Sequence, residues 1–185
     1  METIEGILAT ARAEIERLTP WETLVALGQG ARLVDIRPSE QRRRDGLVPG
    51  AWAIDRNVLE WRLDPAGEYR VPSLARRDRQ LILICDEGCQ SSLAAARLRR
   101  FGLAAADVIG GVQLWRAEGL HLDPFDERAD EAANVSAPQR VGGSADARAL
   151  EGVGEAAKES NLPSGGLHRP AGFEGQMGHQ TRAAP

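Results

Sequence analysis

Leu81-Ile82-Leu83-Ile84-Cys85-Asp86-Glu87-Gly88-Cys89-Gln90-Ser91-Ser92-Leu93-Ala94-Ala95 is the stretch that decides the fold class. Its first four residues are uninterruptedly apolar, which is the pattern of a strand covered on both faces. A polar loop from Cys85 to Gln90 follows at once. Ser91 or Ser92 can then cap a helix running to Arg100 or Phe101, with Gly102 as its stop. A thiol between a buried strand and a helix N-terminus sits where open α/β sheets place their ligands. Loop N–H groups and the helix N-terminus favour thiolate over thiol there, and thiolate is the reactive form. Gly88 lets the loop curl without a Cβ clash.

Working toward the N-terminus, Arg32 to Arg37 reads as a short strand ending in polar residues, and Pro38-Ser39 turns the chain into a short arginine-rich helix over Glu40 to Arg44. Gly46, Pro49 and Gly50 frame a short strand at Ala51 to Ile54, and Asn57 to Arg62 suits a helical turn. Thr19-Pro20-Trp21-Glu22 carries a capping-box signature for a helix that Gly28 and Gly30 end. Ahead of it, Ile4, Ile7, Leu8, Ala11, Ile15 and Leu18 recur at helical spacing, so residues 1–17 are expected to form an amphipathic helix packed on the domain. Toward the C-terminus, Asp107 to Ile109 is a last strand, and Gly110-Gly111 opens a closing helix with Leu114 and Trp115. Strands alternating with helices predict an α/β domain over 18–124, a parallel sheet of about five strands with helices on both faces. Residues 125–185 are rich in Gly, Ala, Pro, Ser and charge, and are expected to be a disordered tail.

Composition narrows the function classes. Hydrophobic residues make up 42% of the 185, enough for a packed core. The net charge is -4 and no basic stripe is present, which argues against nucleic-acid binding. The two cysteines, four positions apart, are no disulfide framework. No apolar run approaches a membrane span, and no basic stretch precedes an apolar run at the N-terminus. A cytoplasmic protein is the expectation, and the bias toward arginine and alanine fits a GC-rich bacterial genome. His121, His168 and His179 lack metal-ligand spacing, so no metal site is expected.

Four segments in order resemble the rhodanese-like family. The loop headed by Cys85, with Gly88 three residues on and an alanine-rich helix behind it, resembles that family's active-site loop. Val34-Asp35-Ile36-Arg37 is similar to its first-strand Asp-x-Arg. Gly46-Leu47-Val48-Pro49-Gly50-Ala51 is similar to its Gly-His-Ile-Pro-Gly-Ala. Gly110-Gly111-Val112-Gln113-Leu114-Trp115 through Gly119-Leu120 is similar to its closing Gly-Gly-x-x-x-Trp-x-x-x-Gly-Leu. The segment Asp55 to Pro65 and the Cys-x-Glu-Gly-x-x-Ser-Ser loop resemble a branch common in actinobacteria. The resemblance implies a rhodanese-like fold and a sulfurtransferase without metal or organic cofactor. Cys85 would take sulfane sulfur as a persulfide, from a small donor or a partner protein's persulfide, and pass it to an acceptor thiol. Asp86, Glu87, Gly88, Cys89, Gln90 and Ser91 would form the substrate-binding loop.

The loop departs from the family where many members carry a basic residue after the cysteine and Arg or Thr at the sixth position; here stand Asp86, Glu87 and Gln90. Two carboxylates beside the sulfur oppose both a thiolate and a dianionic donor, so a neutral or protein-borne donor is expected rather than thiosulfate. Cys89 reads as a small packing residue, with an internal disulfide to Cys85 as the alternative. Asp35 and Arg37 read as structural support, Arg42, Arg43 and Arg44 as a solvated helix face, and the four tryptophans as packing residues. Trp61 and Arg62 are candidates for the pocket mouth, Arg62 as a source of positive charge. The rival reading is a non-catalytic rhodanese-like module that binds a partner or senses oxidants. A phosphatase on the same fold is disfavoured, since it needs an arginine after the loop to hold phosphate.

Overall fold

A computed structural model describes residues 1–136. The sheet is built from β1 (Glu16–Leu18), β2 (Arg32–Asp35), β3 (Trp52–Ala53), β4 (Gln80–Ile84) and β5 (Ala104–Val108). All four pairings are parallel, in the order β1-β5-β4-β2-β3. The connection after β2 leads outward to β3, while the one after β4 leads the opposite way to β5. The crevice beyond the carboxyl ends of β2 and β4 is therefore the topological switch point, and Cys85 follows β4 there.

Alternation along β4 splits the core. Leu81, Leu83 and Cys85 face one cluster with Leu59 and Leu63 of α4 (Leu59–Leu63) and Ala94, Ala95 and Leu98 of α5 (Gln90–Arg99). Ile82 and Ile84 face the other, with Val112 and Trp115 of α6 (Gly111–Ala117) and the edge of α2 (Pro20–Gly28). Burial on both faces is why four consecutive apolar residues make this strand. The capping box at Thr19 and Glu22 forms as the sequence suggests, and α3 covers Ser39–Asp45.

Four expectations change. The first helix, α1 (Ile4–Ala13), is shorter than its periodicity implies. Glu16 to Leu18 instead extends the sheet as β1, paired with β5 and anchored by Arg17 on the buried Asp107. Only Leu18 of that strand is buried, so its apolar spacing could not distinguish it from a last helical turn. Next, the expected tail begins inside the domain. Helix α7 (Glu127–Ala133) lies against β3, Asp130 is buried on Arg42, and Val135 enters the core while donating its N–H to the Ala53 carbonyl. Arg42 is thus no solvated residue: its guanidinium is held by Asp130 and the Arg37 carbonyl. The rest of the expected tail, 137–185, lies outside the described residues. Among the tryptophans, Trp52 and Trp115 are buried, but Trp21 and Trp61 are exposed.

Candidate active site

Cys85 leaves the end of β4 with its side chain tucked under the start of α5, 5% exposed. Its Sγ receives the N–H of Gly88 at 3.2 Å and of Ser91 at 3.4 Å, and lies 3.2 Å from the Ser91 hydroxyl. Three donors on one sulfur stabilise negative charge there. The loop closes with Gly88 at φ +75, where a Cβ would stand 2.7 Å from the backbone nitrogen of Gly110. From below, the first N–H groups of α6 hold the loop's own carbonyls: Val112 N donates to Cys85 O at 2.9 Å and Gln113 N to Asp86 O at 3.1 Å. The Gly-Gly before Trp115 is therefore part of the loop's seat.

Ser91 does not cap α5. The helix starts at Gln90 with Cys89 as its cap residue and no side-chain cap. That leaves the Ser91 hydroxyl for the sulfur and the Ser92 hydroxyl within reach of two acceptors, Asp107 at 2.6 Å and the Gly88 carbonyl at 2.9 Å. Cys89 and Gln90 are exposed at the rim, and both cysteines are free thiols.

The two carboxylates of the loop are not equivalent. Asp86 is clamped by Arg44 at 3.2 Å and accepts from Gln113 Nε2 at 2.6 Å. Arg44 also binds Asp45, whose carboxyl is held below its usual range, first by the Arg44 hydrogen bond and then, against burial, by Arg116. Glu87 is exposed and reaches no cation among the described residues. The positive charge the sequence sought in Arg62 comes instead from Arg44.

Arg62 and Trp61 do not join the site. Arg62 is buried and donates to the carbonyls of Val135 and Tyr69. Trp61 lines a separate shallow pocket with Glu60, Asp64, Glu68, Tyr69 and Phe101. Phe101 follows the C-terminal end of α5, whereas Cys85 faces its N-terminus, so the length of the helix separates the two places. Asp35 and Arg37 form a buried pair at 2.7 Å beside the crevice, and Arg37 also donates to the Gly46 carbonyl. They tie the end of β2 to the turn before β3. His121, on which a Cys-His pair would depend, sits exposed against Asp123. Among the described residues no group of three or more His, Cys, Asp or Glu gathers as metal ligands, and no helix is long and apolar enough to cross a membrane.

Arg12, Arg44 and Gln113 are the loop's neighbours that sequence reasoning did not find. Nothing in their own surroundings marks them, because each reaches the loop from a different element.

The model of the rhodanese-like domain matches residues 21–118. No curated protein matches the chain. Among solved structures, a protein of unknown function and possible tyrosine phosphatase from Rhodopseudomonas palustris is 31% identical, covering 66% of this chain and 96% of that one, with a TM-score of 0.61. The polysulfide-sulfur transferase homodimer of Wolinella succinogenes is 22% identical over 65% of this chain and 86% of that one, at a TM-score of 0.53. The thiosulfate sulfurtransferase of Pseudomonas aeruginosa is 17% identical over 65% of this chain and 22% of that one, at 0.52. These last two share the fold. A strand, a cysteine-headed loop and a helix at the switch point of a parallel sheet thus coincide with a family match covering more than half of the sequence, and the chain belongs to the rhodanese-like domain family.

Proposed function

We propose that this protein is a sulfurtransferase working through a persulfide on Cys85. The observation that carries the reading is the convergence of the Gly88 N–H, the Ser91 N–H and the Ser91 hydroxyl on one sulfur. A thiolate held this way attacks the sulfane sulfur of a donor. The bond between that sulfur and the donor breaks, and the donor fragment leaves with the electron pair. An acceptor thiolate then attacks the outer sulfur and releases Cys85 as thiolate. Sulfur would come from a small neutral donor or a partner protein's persulfide and go to a thiol, with no cofactor.

Incubation with a panel of sulfane donors, followed by intact-mass measurement, tests this. The expected result is a gain of one sulfur atom that Cys85→Ser abolishes. No adduct with any donor would favour the rival, a non-catalytic binding or redox-sensing module. Phosphate-ester hydrolysis, the activity suggested by the name of the Rhodopseudomonas relative, fits this loop less well: its sixth position is Gln90, and Glu87 faces outward where a phosphate dianion would enter.

The unequal carboxylates sharpen the donor preference. Asp86 is paired with Arg44 and Gln113 while Glu87 is exposed, so repulsion of an anionic donor falls more on Glu87. Glu87→Gln is expected to raise thiosulfate turnover severalfold at low ionic strength, with the gain fading in salt. An unchanged or lower rate would show that the loop's charge does not select the donor.

A further inference from the structure

Arg12 reaches the loop from α1, outside the residues that match the family. Its Nη2 donates to the Gly88 carbonyl at 3.1 Å and lies 3.8 Å from Cys89 Sγ, while its Nε donates to Ser92 Oγ at 3.4 Å. Ser92 Oγ stands 2.9 Å from the same Gly88 carbonyl and 2.6 Å from a carboxylate oxygen of Asp107. A hydroxyl has one proton to give, and the closer, charged acceptor takes it. Asp107 is itself fixed by Arg17 at 3.0 Å. With the Ser92 proton committed to Asp107, the Gly88 carbonyl depends on Arg12 for its hydrogen bond.

That carbonyl sets the direction of a peptide. No peptide bond in the described residues is cis, so the N–H of Cys89 points opposite to the Gly88 C=O. Holding that carbonyl fixes the plane of the Gly88–Cys89 peptide, which lies in the chain between the Gly88 and Ser91 N–H groups that meet Cys85. We infer that Arg12 is a positioning residue: it locks the Gly88–Cys89 peptide so that the loop's N–H groups are ready for sulfur-borne charge on Cys85. α1 then belongs to the active-site machinery, with Ser92, Asp107 and Arg17 as its buttress. The inference deepens the sulfurtransferase reading, but its test needs only the reactivity of Cys85, so the two can fail separately.

The test uses the full chain with Arg12→Ala, Arg12→Gln and Arg12→Lys, and Glu14→Ala, at the exposed C-cap of the same helix, as a control. Two quantities are read: the rate of Cys85 alkylation by iodoacetamide at neutral pH, and deuterium uptake by the peptide spanning the loop. Arg12→Ala is expected to slow alkylation about tenfold, the worth of one charge-assisted hydrogen bond, and to speed uptake in the loop. Gln and Lys each keep a donor for the carbonyl and are expected to restore most of both, and the control to match the parent. Unchanged values in Arg12→Ala would overturn the inference. So would faster alkylation, which would make Arg12 a cover over the thiol. If the Ala variant does not fold, the other two decide: full recovery with Lys but none with Gln would mean that charge, not peptide orientation, is what Arg12 supplies.

Discussion

A chain ending at Pro124 should lose cooperative thermal unfolding or melt far below one ending at Ser136. The segment between them carries little apolar surface, but two buried guanidinium groups depend on it. Arg42 is paired with Asp130, and Arg62 donates to the Val135 carbonyl. Removing one partner of a buried pair costs about 3–5 kcal/mol, because the other charge is left in low dielectric. Loss of the Arg62 acceptor adds about 1–3 kcal/mol, and loss of the Val135 side chain about 1.5–3 kcal/mol. These terms share neighbours and do not simply add. Even the first rivals the lower end of a domain's total stability, about 5–15 kcal/mol. Asp130→Ala in the chain ending at Ser136 isolates the ion pair and should alone lower stability by about 3 kcal/mol. Coincident melting curves for the two chains would mean that Arg42 and Arg62 find water at no cost, and that the domain ends where its apolar pattern does.

The same segment shows why part of the fold was hidden in the sequence. Apolar runs and turn residues mark β4, the loop and α2, because burial on both faces and capping chemistry are local signals. Residues 127–136 dock by Asp130, by backbone hydrogen bonds and by a single Val135, none of which leaves a periodic trace. β1 has three residues and takes its hydrogen bonds from β5, some ninety positions away. β5 itself begins Ala104-Ala105-Ala106, which propensity does not favour as strand; close packing under α5 and register with β4 override it.

At the site, the placement of Cys85 between a buried strand and a helix was legible, since that arrangement is local and has a physical rationale. The charges around it were not. The sequence shows Asp86 and Glu87 as an equal pair. The fold brings Arg44 from α3 and Gln113 from α6 to one of them and leaves the other in solvent. Electrostatic inference from adjacent residues fails in this way whenever partners come from distant elements, since the partner decides whether a carboxylate acts as a charge.

Gly111→Ala should be the most damaging methyl group that can be added to this domain near the site. Gly111 has φ +58, a region that costs an L side chain about 1–3 kcal/mol. Its Cβ would also stand 2.4 Å from the Cys85 carbonyl and 2.5 Å from that of Asp86, both fixed backbone atoms. Relief requires moving the first turn of α6 or the base of the loop, an overpacking cost of about 1–3 kcal/mol. The total, about 2–6 kcal/mol, should appear as a lowered melting midpoint. Sulfur uptake should fall further than stability explains, because the carbonyls that yield belong to Cys85 and Asp86. Gly119→Ala separates the two costs. Gly119 also has a positive φ, +76, but nothing lies within 4 Å of its added Cβ. It should therefore cost only the conformational part and leave sulfur uptake intact. Equal losses in the two variants would mean that the contact between α6 and the loop yields freely. The seat beneath Cys85 would then be passive, and orientation of the loop would rest on the hydrogen bonds made from above.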